Sequence, residues 1–341
     1  MRYPEFLKPG GTVGFVAPSF GSNMEPYRSA FDNALVKLSA LGYNLKLGPN
    51  CYAGCGIGKS NTSKACGDEI MDFYCSEGSD VLISCGGGEL MCEDLDYIDF
   101  ERIKAAAPKW FMGYSDNTNL TFLLTTIADT ASIYGPCAAA FGMEPWHESI
   151  EDAHGILTGK KLTVSGYDLY EVEGGKDEEN PLLPYNVTEP CVRKGFPQAD
   201  SYSMEGRLVG GCMDILTLFL GTKYDHVREF AEKYSSDGII WFMEACDLNT
   251  MGMRRALWQM EQAGWFKYVK GFMIGRPYHH GEITLGLDQY DAVTEVLKKY
   301  KVPILMDLDI GHIAPAMPLI CGSYAKVNMK GGALTVEMLL S

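Results

Sequence analysis

Short apolar runs that stop at glycine, serine or proline, each followed by a stretch with helical spacing, recur through the N-terminal half of the chain. Thr12-Val13-Gly14-Phe15-Val16-Ala17-Pro18 is the first, and Tyr27, Ala30, Phe31, Ala34, Leu35 and Leu38 then share one helical face, with Gly42 as a stop. The pattern repeats: a strand at 43–47, a helix at 64–75, a strand at 80–84 and a glycine run. A strand at 109–113, a helix at 117–127 and a strand at 132–134 follow. Runs this short and this apolar suit strands buried on both faces, and the intervening helices suit parallel crossovers. The expected fold class is therefore α/β, with an N-terminal parallel sheet covered by helices over residues 1–145.

The pattern lapses between 146 and 204, where Gly174-Gly175, Pro181, Pro184, Pro190 and Pro197 surround the charged run Lys176-Asp177-Glu178-Glu179. This stretch reads as a connector or long functional loop. Periodicity returns at Arg207–Gly211, with a helix from Met213, a buried strand at Ile239–Met243 and an amphipathic helix from Met253 to Ala263. Two more strands at 272–275 and 303–306, a helix at 290–300 and a hairpin around Gly331-Gly332 complete an expected smaller α/β domain over 205–341.

Charge narrows the partners. With 29 basic and 44 acidic residues the chain carries a formal −15, and no Lys/Arg run forms a patch for phosphates. Nucleic-acid binding is thus disfavoured. No window reaches the roughly 18 uncharged apolar residues of a membrane span, and the first residues lack the apolar core of a secretory signal. Eleven cysteines in such a chain read as reduced thiols of a cytoplasmic protein. Cys51 and Cys55 lack a second ligand pair, so no metal and no cofactor are expected.

Gly113-Tyr114-Ser115-Asp116 ends an apolar strand and begins a helix. A hydroxyl there stands beside unpaired backbone N–H groups, the setting of a nucleophile elbow, although the spacing is not G-x-S-x-G. A plain helix cap at Ser115 or Asp116 is the competing reading. Gly86-Gly87-Gly88 lets backbone approach a ligand closely, as in an oxyanion hole, or simply makes a tight turn. A serine nucleophile requires a base. Among six histidines, His312 follows an apolar strand and Gly311, whereas His279 and His280 occupy a Pro/Gly-flanked loop. Glu244 terminates the apolar strand 239–243, which makes it either edge-exposed or held for a purpose.

In order along nearly the whole chain, seven pieces resemble the LD-carboxypeptidase family of serine peptidases, which includes the microcin C immunity peptidases. They are Leu7–Ser19, Gly86-Gly87, Gly113-Tyr114-Ser115-Asp116, Tyr134-Gly135-Pro136, Glu205–Gly211, the strand ending in Glu244, and Gly311-His312. The resemblance implies Ser115 as nucleophile, His312 as general base and Glu244 as the carboxylate orienting the ring. It implies an oxyanion hole from the backbone amides of Gly86, Gly87 and Asp116. It further implies a flavodoxin- or amidotransferase-like N-terminal domain, an active site in the interdomain cleft, and a homodimer.

The implied substrate is a small peptide or a peptidyl-nucleotide. Either the L,D bond to a terminal D-amino acid of murein peptide is cleaved, or the peptidyl-nucleotide amide of a microcin C-like compound. Within the immunity branch the chain departs in three ways. No Trp lies between Trp146 and Trp241, Gly88-Glu89-Leu90 follows the glycine turn, and Cys212 follows Gly210-Gly211 in place of Asn. Tyr167, Tyr170, Tyr185 and Phe196 are the candidate substitutes for base stacking. Two rival classes remain: a two-domain ligand-binding protein without catalysis, and a cysteine hydrolase using Cys85 or Cys212.

Overall fold

The computed structural model describes residues 1–56 and 58–341. It divides into two compact units, the first Met1–Leu162 with Glu173–Asn186, the second Thr163–Val172 with Val187–Ser341.

In the first unit the elements run β1 (Thr12–Val16), α1 (Tyr27–Ala40), β2 (Asn44–Leu47), α2 (Ser63–Cys75) and β3 (Val81–Ser84). Then come α3 (Phe100–Ala105), β4 (Trp110–Gly113), α4 (Thr118–Thr126), β5 (Ser132–Tyr134) and α5 (Glu148–Leu157). The strands lie side by side in the order β2-β1-β3-β4-β5, all parallel. This is the flavodoxin-like order, whose switch point falls between β1 and β3, and ligands of such sheets gather outside the carboxyl ends of the strands. β3 and β4 are buried along their whole length, as their unbroken apolar runs require. Helix α2 is capped by Thr62, whose hydroxyl accepts from Ala65 N at 3.3 Å. Gly42 follows α1 at φ +88°, where the sequence places the stop.

The second unit comprises β6 (Thr163–Ser165), β7 (Leu169–Glu171), β8 (Val187–Pro190), β9 (Lys194–Phe196), β10 (Ser201–Cys212), α6 (Met213–Phe219) and α7 (Val227–Lys233). It continues through β11 (Ile239–Glu244), α8 (Thr250–Gln262), β12 (Val269–Gly275), α9 (Gln289–Leu297) and β13 (Ile304–Leu308). The last strands are β14 (Leu319–Cys321), β15 (Tyr324–Lys330) and β16 (Ala333–Leu339). Its eight-stranded sheet has the order β6-β16-β15-β10-β11-β12-β13-β9. The four central strands β10 to β13 are parallel and the outer ones antiparallel. Trp241 and Trp265 stack with ring centroids 5.6 Å apart at the centre of its core.

The stretch 146–204, expected as a connector, differs from that expectation. It contains α5, the short strands β6 to β9 and the start of β10, and the chain passes between units at 162/163, 172/173 and 186/187. β6, β7 and β9 hold three residues each and β8 four, separated by Gly and Pro, so no apolar period is long enough to register. No helix among the described residues is long and apolar enough to cross a membrane.

Candidate active site

At the carboxyl end of β4 the backbone makes an abrupt turn. Ser115 takes φ +62°, a left-handed conformation that is strained for a residue with a Cβ, and a short 3₁₀ turn over Ser115–Asn117 leads into α4. The cap reading of Ser115 and Asp116 does not hold: α4 has Asn117 at its N-cap and no side-chain capping bond. Ser115 N donates to the Tyr134 hydroxyl at 3.2 Å, which ties the elbow to Tyr134-Gly135-Pro136.

The glycine turn lies against this elbow. A Cβ on Gly87 would stand 3.3 Å from Ser115 Cβ and 3.4 Å from Ser115 Oγ, so any side chain there would crowd the serine. Asn117 Nδ2 donates to Gly86 O at 2.9 Å, and Phe20 N to Gly87 O at 2.8 Å. The structure thus brings Gly86, Gly87, Ser115 and Asp116 together within the first unit. Asp116 is 1% exposed; burial raises its carboxyl above the ordinary range, against hydrogen bonds from Ser19, Met91 and Asn119 that pull it down.

In the second unit, Glu244 ends β11 wholly buried, and its Oε2 lies 2.9 Å from His312 Nδ1. Gly311 is required beside them. It takes φ +108°, and a Cβ there would fall 2.5 Å from Glu244 Oε2. Burial disfavours the His312 cation, but the charge of Glu244 and hydrogen bonds to Cys246 and Glu244 outweigh it, pushing the ring up to about 11. His279 instead pairs with Glu282 at 3.0 Å, and His280 lies 3.8 Å from Asp307.

Sequence reasoning does not reach Asp214. Its carboxylate accepts the backbone N–H of Cys246, Asp247 and Leu248, each at 3.0 Å, and so fixes the segment that follows Glu244. Nothing local in Cys212-Met213-Asp214 signals that bond. Its acceptor role follows only from the β10–β11 pairing, which sets Cys212 opposite Glu244.

The rival nucleophiles fare poorly. Burial pushes the Cys85 and Cys212 thiols well above their usual range, which disfavours the thiolate that a cysteine nucleophile needs. The candidate stacking aromatics are also engaged. Tyr170 lies over the Arg276 guanidinium at 4.1 Å, Tyr185 packs on His147 and Phe196 on Tyr290, while Tyr167 is 4% exposed.

A family model of the LD-carboxypeptidase N-terminal domain matches residues 13–135, and one of its C-terminal domain matches 205–327. A probable murein peptide carboxypeptidase of Bacillus subtilis is 27% identical over 98% of this chain and 94% of its own. The microcin C7 self-immunity protein MccF of Escherichia coli is 24% identical over 98% of this chain and 96% of its own. Among solved structures, an MccF-like protein from Bacillus anthracis aligns over 100% of both chains with a TM-score of 0.84 at 20% identity. MccF in complex with glutamyl sulfamoyl guanosine aligns over 98% of both chains at 0.79 and 20%.

Proposed function

The chain belongs to the LD-carboxypeptidase family of serine peptidases, and from that premise we propose that it hydrolyses an amide bond in a small peptide through a Ser115–His312–Glu244 triad and an acyl-enzyme. The observation that carries this reading is the 2.9 Å bond from His312 Nδ1 to a wholly buried Glu244. It holds one ring nitrogen against a carboxylate, the arrangement that orients an imidazole as general base.

Ser115 Oγ attacks the carbonyl carbon while the His312 ring takes its proton. The oxyanion is stabilised by the amides of Asp116 and the Gly86-Gly87 turn. The C–N bond then breaks, and the imidazolium protonates the leaving amine. Water, deprotonated by the same ring, releases the acid and regenerates the serine. General-base assistance contributes about 10²–10⁴-fold, and each oxyanion donor about 10²–10³-fold. Glu244 stabilises the imidazolium that forms in each half-reaction.

The substrate we propose is the L,D bond to a terminal D-amino acid of murein peptide, cleaved in the cytosol. The Bacillus subtilis relative supports this, at 27% identity against 24% for MccF over the same 98% of this chain. So does the engagement of Tyr170, Tyr185 and Phe196 with neighbouring rings and a guanidinium, which leaves them poor platforms for a nucleobase. That none of the eleven cysteines is paired in a disulfide supports a reducing compartment.

Murein tetrapeptide and an acyl-sulfamoyl adenosine, incubated side by side and followed by mass spectrometry, test the assignment. Release of D-alanine from the tetrapeptide is expected. Cleavage of the sulfamoyl adenosine alone would move the chain to the peptidyl-nucleotide class, and cleavage of neither would overturn the reading.

A further inference from the structure

Three loops meet at the nucleophile elbow, each leaving the carboxyl end of a different strand. Residues 17–20 follow β1, the glycine turn follows β3, and 114–117 follow β4. One buried carboxylate joins them. Asp116 Oδ2 accepts the Ser19 hydroxyl at 2.5 Å and Met91 N at 3.0 Å, and its Oδ1 accepts Asn119 Nδ2 at 2.9 Å. Ser19 in turn abuts the glycine turn. Gly88 has φ +156°, and a Cβ there would fall 2.1 Å from Ser19 Oγ. The next residue, Phe20, holds Gly87 O through its backbone N–H at 2.8 Å. Thus Asp116 grips the glycine turn from both ends, through Ser19 at Gly87-Gly88 and directly at Met91.

We propose that the Asp116 carboxylate and the Ser19 hydroxyl form a positioning pair that sets the glycine turn against the Ser115 elbow. The inference rests on the reading of Ser115 as nucleophile. Oxyanion donors work only within about 2.7–3.1 Å of the developing charge, and a displacement of about 1 Å costs on the order of 10²-fold. Asp116 therefore serves twice, its amide as donor and its side chain as the brace that aims the facing donors.

The conservative variant separates a brace from a charge. In Asp116→Asn the oxygen can stay on Ser19 and Met91, while the N–H₂ takes the place of the acceptor of Asn119 Nδ2. It is met once the Asn119 amide flips to present its Oδ1, which is buried without a partner. The test measures the rate of covalent labelling by a fluorophosphonate, together with kcat and KM on murein tetrapeptide. For Asp116→Ala, labelling and kcat fall about 10²-fold with KM nearly unchanged. Asp116→Asn recovers most of that loss, and Ser19→Ala falls about 10-fold. Should Asp116→Ala not fold, Ser19→Ala carries the test, since Met91 and Asn119 still engage the carboxylate. With Ser115→Ala inert, wild-type labelling and kcat in Ser19→Ala and Asp116→Ala, even at a lowered Tm, overturn the positioning pair alone. Hydrolysis by Ser115→Ala at the wild-type rate overturns the nucleophile reading itself.

Discussion

Ser115→Gly is expected to lose hydrolysis and gain stability together. Loss of the nucleophilic hydroxyl removes covalent catalysis and lowers kcat by about 10⁴–10⁶-fold, leaving only what binding and the oxyanion donors supply. Stability moves the other way because Ser115 holds φ +62°. A left-handed conformation costs an L-residue roughly 1–2 kcal/mol that glycine does not bear. Part of this is offset by the greater entropy of glycine in the unfolded chain, about 0.5–1 kcal/mol. The net gain is about 0.5–1 kcal/mol, a rise of roughly 1–4 °C in Tm for a unit of this size. Ser115→Ala is the control: equally inactive, but with a Cβ and so without the gain. Activity assays beside thermal melts read both effects. A glycine variant no more stable than the alanine one would show that the elbow stores no strain.

Glu244→Gln is expected to produce the second large effect, a fall in kcat of about 10³–10⁴-fold with a displaced pH profile. Despite the burial that opposes it, Glu244 and Cys246 push the His312 ring up to about 11. The wild-type ring therefore gives up its proton reluctantly near neutrality, and kcat/KM should climb with pH well past 7. Without the carboxylate charge the ring titrates nearer its ordinary value of about 6.5, so residual activity should reach its plateau at lower pH. The sign for stability follows from the same shift. A folded-state pKa raised from about 6.5 to about 11 favours folding fully below the lower value. That advantage declines as pH rises toward the upper one. The difference in Tm between wild type and Glu244→Gln should therefore be widest near pH 6 and shrink in alkali. A pH-independent difference would show that burial of the side chain, rather than its pairing with His312, sets the stability.

Much of this architecture is legible in the chain because its signals are local. Val81–Ser84 and Trp110–Gly113 have no polar face, so they can only be buried strands, and the helices between them announce a parallel sheet. The resemblance carried by seven dispersed motifs picks out Ser115, Glu244 and His312 as candidates, and the Glu244–His312 pair is present in the second unit at bonding distance. The illegible parts are those decided by tertiary pairing. Strands of three or four residues between 163 and 196 leave no period to read, and nothing local tells which unit each joins. Asp116 looks like a helix cap because Asp at such a turn usually is one. Its side chain bonds instead to Ser19, 97 positions away, which only the neighbouring strand ends of the folded sheet bring within reach. Asp214 is hidden for the same reason, its three amide partners lying more than 30 residues downstream.

Mapping the adduct of a serine-directed phosphonate by peptide mass spectrometry tests the central claim most directly. The account predicts a single phosphonylated residue, Ser115, with labelling strongly slowed in His312→Ala. A label on Cys85, or a fully active protein that takes up none, would contradict it.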